Sequence, residues 1–168
     1  MAERISLRDY QRDLAERLRN AERAGGASKL GILVGGENWL VDLGDAGEVI
    51  PVPPISAVPL TRPWFKGVAN VRGNLCSVVD FAAFLGGSPA ALTDQRRLLL
   101  VSERFRLGAA LLVDRSLGLH NAAGLRSVTT GAPAAWARAE YEDGEGRRWK
   151  ELDLPQLVQH PDFLSVGM

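Results

Sequence analysis

From Leu30 onward the chain alternates short apolar runs with clusters of glycine, aspartate and proline. The runs fall at 30–34, 39–43, 48–52, 67–71 and 75–79, each about the length of one strand, and the residues between them suit turns. The stretch from Pro51 to Pro63 holds five prolines, so it is predicted to be an extended connection and not a central strand. A second β set is predicted at 98–101 and at 105–113. In the latter, Phe105, Leu107, Ala109, Leu111 and Val113 alternate with Arg106, Gly108 and Ala110, the mark of a half-buried strand. Residues 114–121 are expected to continue that sheet. Residues 88–95 read as a linker, and 122–146 show no clear period. The segment 149–154 reads as a last strand, with a helical turn at 154–159 closing the chain.

Ahead of the β region, residues 6–24 follow a helical period. Leu7, Tyr10, Leu14, Leu18 and Ala21 fall on one narrow stripe, Ser6 and Asp9 form a capping-box-like pair, and Ile5 and Tyr10 suit a hydrophobic staple. Gly25-Gly26 ends the helix. A stripe of this kind is expected to pack on its own domain, the alternative being a docking helix for a partner.

Within the β region, Gly73-Asn74 is the dipeptide expected to make the tight turn between the runs at 67–71 and 75–79, because glycine accepts positive φ. Arg72 then stands at the bend, held out by a rigid scaffold as recognition residues are. Asp80 is placed to cap a short helix over 81–85 that Gly86-Gly87 stops. Many short strands at this spacing argue for small barrels closed on themselves.

The composition narrows the chemistry. A chain of 168 residues is one domain or two small interlocked ones. Its formal net charge of zero supplies no basic field for nucleic acid or an anionic membrane. Arginine outnumbers lysine 17 to 3, which favours forked contacts over diffuse charge unless it reflects codon usage. Cys76 is the only cysteine, so no disulfide forms within the chain, and its apolar surroundings make a buried thiol the expected state. No apolar run approaches the ~18 residues that span a bilayer, and the N-terminus is charged where a signal peptide is apolar. A soluble cytoplasmic protein is expected.

Catalytic motifs are missing. Gly31 to Gly36 has the glycine spacing of a phosphate loop but continues with Glu37-Asn38 where Lys-Ser/Thr is needed. His120 and His160 stand 40 residues apart without a motif, and Glu142, Asp143 and Glu145 read as a solvated turn. The basic pairs Arg96-Arg97 and Arg147-Arg148 lack interleaved aromatics for base stacking. No enzyme, metal site or cofactor is expected.

The run Gly67-Val-Ala-Asn70-Val-Arg72-Gly73, followed by Val79-Asp80-Phe81 and Leu85-Gly86, resembles the signature of the CheW family, the adaptors of bacterial chemotaxis arrays. The likeness extends over about 28–157. Trp39, Val41 and Asp42 match the family's second strand, Glu48-Val49-Ile50 its glutamate and apolar pair, Val58-Pro59 the lead into the signature, and Leu111 to Asp114 the strand ending in V-D. The segment from Leu157 through Phe163 to Val166 is similar to the pilus-motility branch, the PilI-type proteins.

The resemblance implies a mainly β fold of two intertwined five-stranded SH3-like barrels, with an N-terminal helix and a short C-terminal helix. The expected organisation is an N-terminal amphipathic helix at 1–26, read from its own spacing and lying outside the CheW core, a CheW-like domain at 28–160 (first barrel mostly 28–87, second mostly 96–150) and a tail at 161–168. The implied role is a non-enzymatic adaptor between a methyl-accepting chemoreceptor tip and a CheA-type histidine kinase, controlling type IV pilus twitching from receptor arrays at the inner membrane. Partner binding is carried over to Arg72, Asn70, Gly67, Gly73, Glu48 and Val49. An internal pairing of Arg72 with Asp80 or Glu48 is the alternative for that residue. Ser77 stands where the family usually has proline, so proline is expected to be tolerated there. Gly44 and Gly47 stand where bulkier residues are usual. A flagellar coupling protein, or a small β-barrel nucleic-acid module, remains as an alternative function.

Overall fold

Strand β1 (Ser28–Val34) turns through Gly35-Gly36 into β2 (Glu37–Asp42), and their antiparallel register sets Leu30 against Val41 and Ile32 against Trp39. The computed structural model describes residues 8–15, 28–90, 93–128 and 136–168. After β2 the chain crosses to build a second sheet from β3 (Ala46–Pro51), β4 (Ile55–Ser56), β5 (Phe65–Val71), β6 (Asn74–Asp80), β7 (Arg97–Val101) and β8 (Ala109–Val113). It then returns to the first sheet with β9 (Arg115–Asn121), β10 (Arg126–Ser127), β11 (Ala137–Glu142) and β12 (Arg148–Leu152). The sheet orders are β10-β11-β12-β2-β1-β9 and β3-β7-β8-β6-β5-β4. Each is five main strands with a two-residue edge piece, β10 or β4. The fold is thus mainly β with two interleaved sheets, as the resemblance implied.

The sheets divide the chain differently from the expected split at 28–87 and 96–150. β1 and β2 pair with strands after residue 114, while β7 and β8 complete the sheet begun at β3. The physical reason is a shared core. Leu30, Ile32, Val34, Trp39 and Val41 of the first sheet are buried with Phe65, Val79, Leu99, Leu111 and Val113 of the second. The second sheet's other face buries its own cluster, Ala69, Cys76, Val78, Leu98, Ala110 and Leu112.

This double burial corrects the reading of 105–113. Only Ala109–Val113 is strand, and all five residues are buried, because Leu111 faces one core and Leu112 the other. Residues 103–105 form a short 3-10 turn capped by Ser102, and Arg106 follows in the left-handed region. Residues 115–121 do not continue that sheet either; β9 pairs with β1. The opposite face of the first sheet is partly polar. Lys29 and Glu151 are buried there as an ion pair of 2.5 Å, and the Tyr141 hydroxyl donates to Glu151 at 3.1 Å.

The helices are short, the first of them, α1, being the described helical stretch 8–15. Asp80 caps α2 (Phe81–Phe84) as expected, its carboxylate accepting from the amides of Ala83 and, at 2.9 Å, Ala90. α3 (Leu154–Gln159) is capped by Asp153, and α4 (Pro161–Leu164) by His160. Residues 161–168 are more than a tail: Phe163 is buried in the shared core, and Arg62 N–H donates to Val166 at 2.8 Å. Of the expected N-terminal helix, residues 8–15 are described and helical. Tyr10 and Leu14 are 61% and 49% exposed, so this part of the stripe does not pack on the domain, whose core is covered by α3 and α4 instead. Ser6, Leu7, Leu18, Ala21 and Gly25-Gly26 lie outside the described residues.

The crossing between sheets is fastened at Asp45, a buried carboxylate in the β2–β3 turn. Arg104, just after β7, donates to it, and Arg138 of β11 lies 3.6 Å from it and 3.5 Å from Asp153. Burial pushes the Asp45 carboxyl up, Arg104 and Arg138 pull it down, and Asp42 and Asp153 add to the rise.

Two outcomes follow from this packing. The Ser77 amide donates to Gly108 O at 2.8 Å, within the parallel β6–β8 ladder. The expectation that proline fits there is therefore overturned, because proline has no N–H to give. Ser77→Pro should destabilise by about 1–3 kcal/mol; an unchanged denaturation midpoint would contradict the pairing. For Asp45, folding raises the pKa, so its contribution is present below about pH 3.9 and is lost as pH rises through the folded value. The melting temperature of the native protein minus that of Asp45→Asn should fall from about pH 3.5 to about pH 6.5. A rising difference would contradict the raised pKa.

Candidate partner-binding surface

The β5–β6 hairpin turns through Arg72-Gly73, flanked by the Val71–Asn74 pair. The turn therefore lies one residue earlier than the expected Gly73-Asn74. Both central residues have positive φ, 53° at Arg72 and 83° at Gly73, as a primed hairpin turn requires. Asn70 supplies the brace: its Oδ1 accepts from the Gly73 amide at 2.8 Å. Glycine suits its position, since a Cβ there would meet nothing but the backbone strain itself. Arginine does not suit its own. A side chain in the left-handed region costs about 1–2 kcal/mol, and such turns favour Asn, Asp or Gly.

Arg72 Nη2 donates to Glu48 Oε1 at 2.6 Å. Of the two internal pairings left open by the sequence, this is the one formed; Asp80 is fully buried at the α2 cap. The pair joins β3, one edge of the sheet, to the hairpin near the other edge. It is a surface pair, with side chains 70% and 42% exposed, and such pairs contribute about 0–1 kcal/mol. Arg72 is thus oriented without being consumed.

Arg72, Gly73, Asn70 and Glu48 consequently share one exposed end of the second sheet. Val49 is beside them but half-buried, packed on the shared core. Gly67 is not part of this surface. It is buried at φ 130°, and a Cβ would stand 2.0 Å from Ser56 O, so glycine is required there for close passage of β4. Gly47 lies in β3 at a bulge, where a Cβ would press on the carbonyls of Leu100 and Val101 at 3.3 Å. Gly44 belongs to the Asp42-capped turn, its amide donating to Asp42 Oδ1 at 2.8 Å.

Sequence reasoning missed the neighbouring hollow. It measures about 340 Å³ and lies between the hairpin and the Glu103–Gly108 loop, lined by Arg72, Leu75, Cys76, Glu103 and Arg106 among others. Leu75 is 73% exposed, an apolar residue out of phase beside the turn, which was the available signal. The hollow's other wall is the loop 103–108, whose alternation of apolar and polar residues mimics a strand. Cys76 is buried, and burial pushes its thiol up, which keeps it protonated at neutral pH. The histidines have local positions: His120 rests on Trp149 with ring centroids 4.5 Å apart, and His160 Nδ1 accepts from the Asp162 amide at 3.1 Å. Among the described residues no group of three or more His, Cys, Asp or Glu is placed to hold a metal ion, and no helix is long and apolar enough to cross a membrane.

Comparison with known proteins gives this surface its context. The family model described as CheW-like domain matches residues 29–162. Protein PilI of Pseudomonas aeruginosa is 33% identical over 144 residues, covering 84% of this chain and 80% of that protein. The probable chemotaxis protein CheW of Rhizobium etli is 32% identical over 81 residues, 48% of this chain and 52% of that protein. In fold, the scaffolding protein TtCheW from Thermoanaerobacter tengcongensis superposes with a TM-score of 0.68 at 18% identity, over 82% of this chain and 95% of that one. With the signature residues running along the β5–β6 hairpin into α2 and the match running from β1 to α4, the chain belongs to the CheW-like domain family.

Proposed function

We propose that this protein is a non-enzymatic adaptor that couples a methyl-accepting chemoreceptor to a CheA-type histidine kinase in a chemotaxis-like pathway controlling type IV pilus twitching. Membership of the CheW-like family supports the adaptor role, and the likeness to PilI over most of the chain supports the pilus pathway over a flagellar one. It works on the cytoplasmic side of the inner membrane, recruited to receptor arrays.

The observation that carries this reading is the conformation of Arg72. The chain accepts left-handed strain to place a long, charged, 70% exposed side chain where glycine or asparagine would sit more easily. Strain held at an exposed turn position, with the surrounding hairpin braced by Asn70 and Glu48, fits a residue kept for recognition. Arg72, Gly73, Asn70, Glu48 and Val49 form the contact surface, and Gly67 acts only by letting β4 pass. Two partners bound to one rigid body exchange free energy through it, which needs no bond-making by the adaptor.

Arg72→Ala keeps the same backbone strain and loses only a surface ion pair, so stability should change by less than about 1 kcal/mol. Its incorporation into receptor–kinase assemblies, measured by co-sedimentation with receptor-bearing membranes and kinase, should fall by about tenfold or more if the arginine is a hot spot of about 2 kcal/mol. Gly73→Val should do the opposite, lowering the melting temperature by placing a β-branched residue at φ 83°. Unchanged incorporation of a destabilised Arg72→Ala protein would end the recognition role.

A further inference from the structure

In the first sheet, the strands that end the chain meet those that begin it where β12 lies parallel to β2. Two positions are in register at this seam, Lys150 with Trp39 and Glu151 with Leu40. The sheet is covered on both faces there. Trp39, Leu40 and Val41 are buried in succession on β2, as are Trp149, Glu151 and Leu152 on β12. An apolar run buried on both faces carries little of the alternation that fixes register elsewhere.

Ion pairs tie the β11–β12 hairpin to the earlier strands. Lys150 reaches Glu37 at 2.9 Å, but that carboxylate is 52% exposed, and surface pairs weigh little. Arg138 reaches Asp45 at 3.6 Å, yet Arg104 holds the same carboxylate as well. The buried contact is Glu151 Oε1 to Lys29 Nζ of β1, at 2.5 Å across the width of β2. Its other oxygen accepts from the Tyr141 hydroxyl at 3.1 Å. Tyr141 is paired with Trp149 and travels with β12 if the hairpin slides, whereas Lys29 stays with β1. Lys29–Glu151 is therefore the buried contact that senses where the hairpin docks. A slip of one residue turns Glu151 to the opposite face, towards the shared core. A slip of two keeps its face but carries it about 6.6 Å along the strand, away from Lys29. Either slip leaves buried charges unpaired, which is strongly destabilising.

We propose that the Lys29–Glu151 pair is the register key of this seam: it selects one docking position of the β11–β12 hairpin on β1–β2 while adding little to net stability. Removing both ions from water offsets most of what their attraction returns, so the pair's effect falls on the alternatives it excludes. The same register brings Arg138 to the crossing at Asp45. This role is independent of the adaptor reading.

The test replaces the key with apolar groups of similar length. Lys29→Met/Glu151→Met/Tyr141→Phe removes both charges and leaves no hydroxyl without its carboxylate. Cooperative melting within about 5 °C of the native protein is expected. The amide NMR signals of residues 137–152, single in the native protein, should split, with a second set at about a tenth or more of the intensity. Lys29→Glu/Glu151→Lys restores a pair of reversed sign and should return a single set, with Lys150 beside Trp39 in the nuclear Overhauser spectrum. A triple variant with one set of signals in the native register would overturn the proposal, because α3, whose Leu154 and Leu157 are buried in the shared core just beyond β12, would then pin the hairpin alone. So would a triple variant that fails to fold, which would assign the pair to stability, or a charge-swapped protein no better ordered than the triple.

Discussion

Trp39, on β2 of the first sheet, meets Phe81, at the start of α2 directly after β6 of the second sheet, with ring centroids 5.5 Å apart and planes at 68°. Both rings are buried almost completely, and around them the inward residues of β1, β2, β6, β7 and β8 close one core. An aromatic pair adds about 0.5–1.5 kcal/mol beyond its buried area, and truncating such a side chain costs about 3–5 kcal/mol. Against a total stability of about 5–15 kcal/mol, this contact zone decides whether either sheet survives. Surface ion pairs such as Arg72–Glu48 are small beside it.

The shared core explains why the chain crosses over twice. β1 and β2 cannot remain with β3–β8, because their apolar face is the lid of that sheet and not its extension. The crossing at Asp45 then becomes a place where charge must be buried, answered by Arg104 from the turn after β7 and Arg138 from β11. The outcome is a stiff platform. Stiffness is what permits the Arg72-Gly73 turn to hold two positive-φ residues at an exposed tip, since strain persists only where the surroundings over-determine it.

Local features were legible in the sequence. The five apolar runs from 30 to 79 became β1, β2, β3, β5 and β6, Asp80 became the cap of α2, and Leu154–Gln159 became α3. Each rests on short-range chemistry: two-residue alternation, a carboxylate before a helix, a proline at its first turn. Partner choice between strands was not legible, because alternation records which face is buried and not which strand lies alongside. The fully buried β8 shows the limit. Its Ala-Ala-Leu-Leu-Val faces two cores, and the apparent alternation with Arg106 and Gly108 belonged to a loop. For the site, the signature located Arg72, Gly73 and Asn70 correctly on one hairpin, but Gly67 carries a packing constraint from Ser56 that only three dimensions reveal.

Native-state hydrogen exchange of the full chain tests most directly whether the two sheets are one unit. Amides of Ile32 and Val41 in one sheet, and of Leu99 and Leu111 in the other, should open with the same free energy and the same dependence on denaturant, as parts of a single cooperative core do. If one sheet's amides exchanged through a distinctly cheaper opening with a smaller denaturant slope while the other stayed protected, the shared core would not be what holds this fold together.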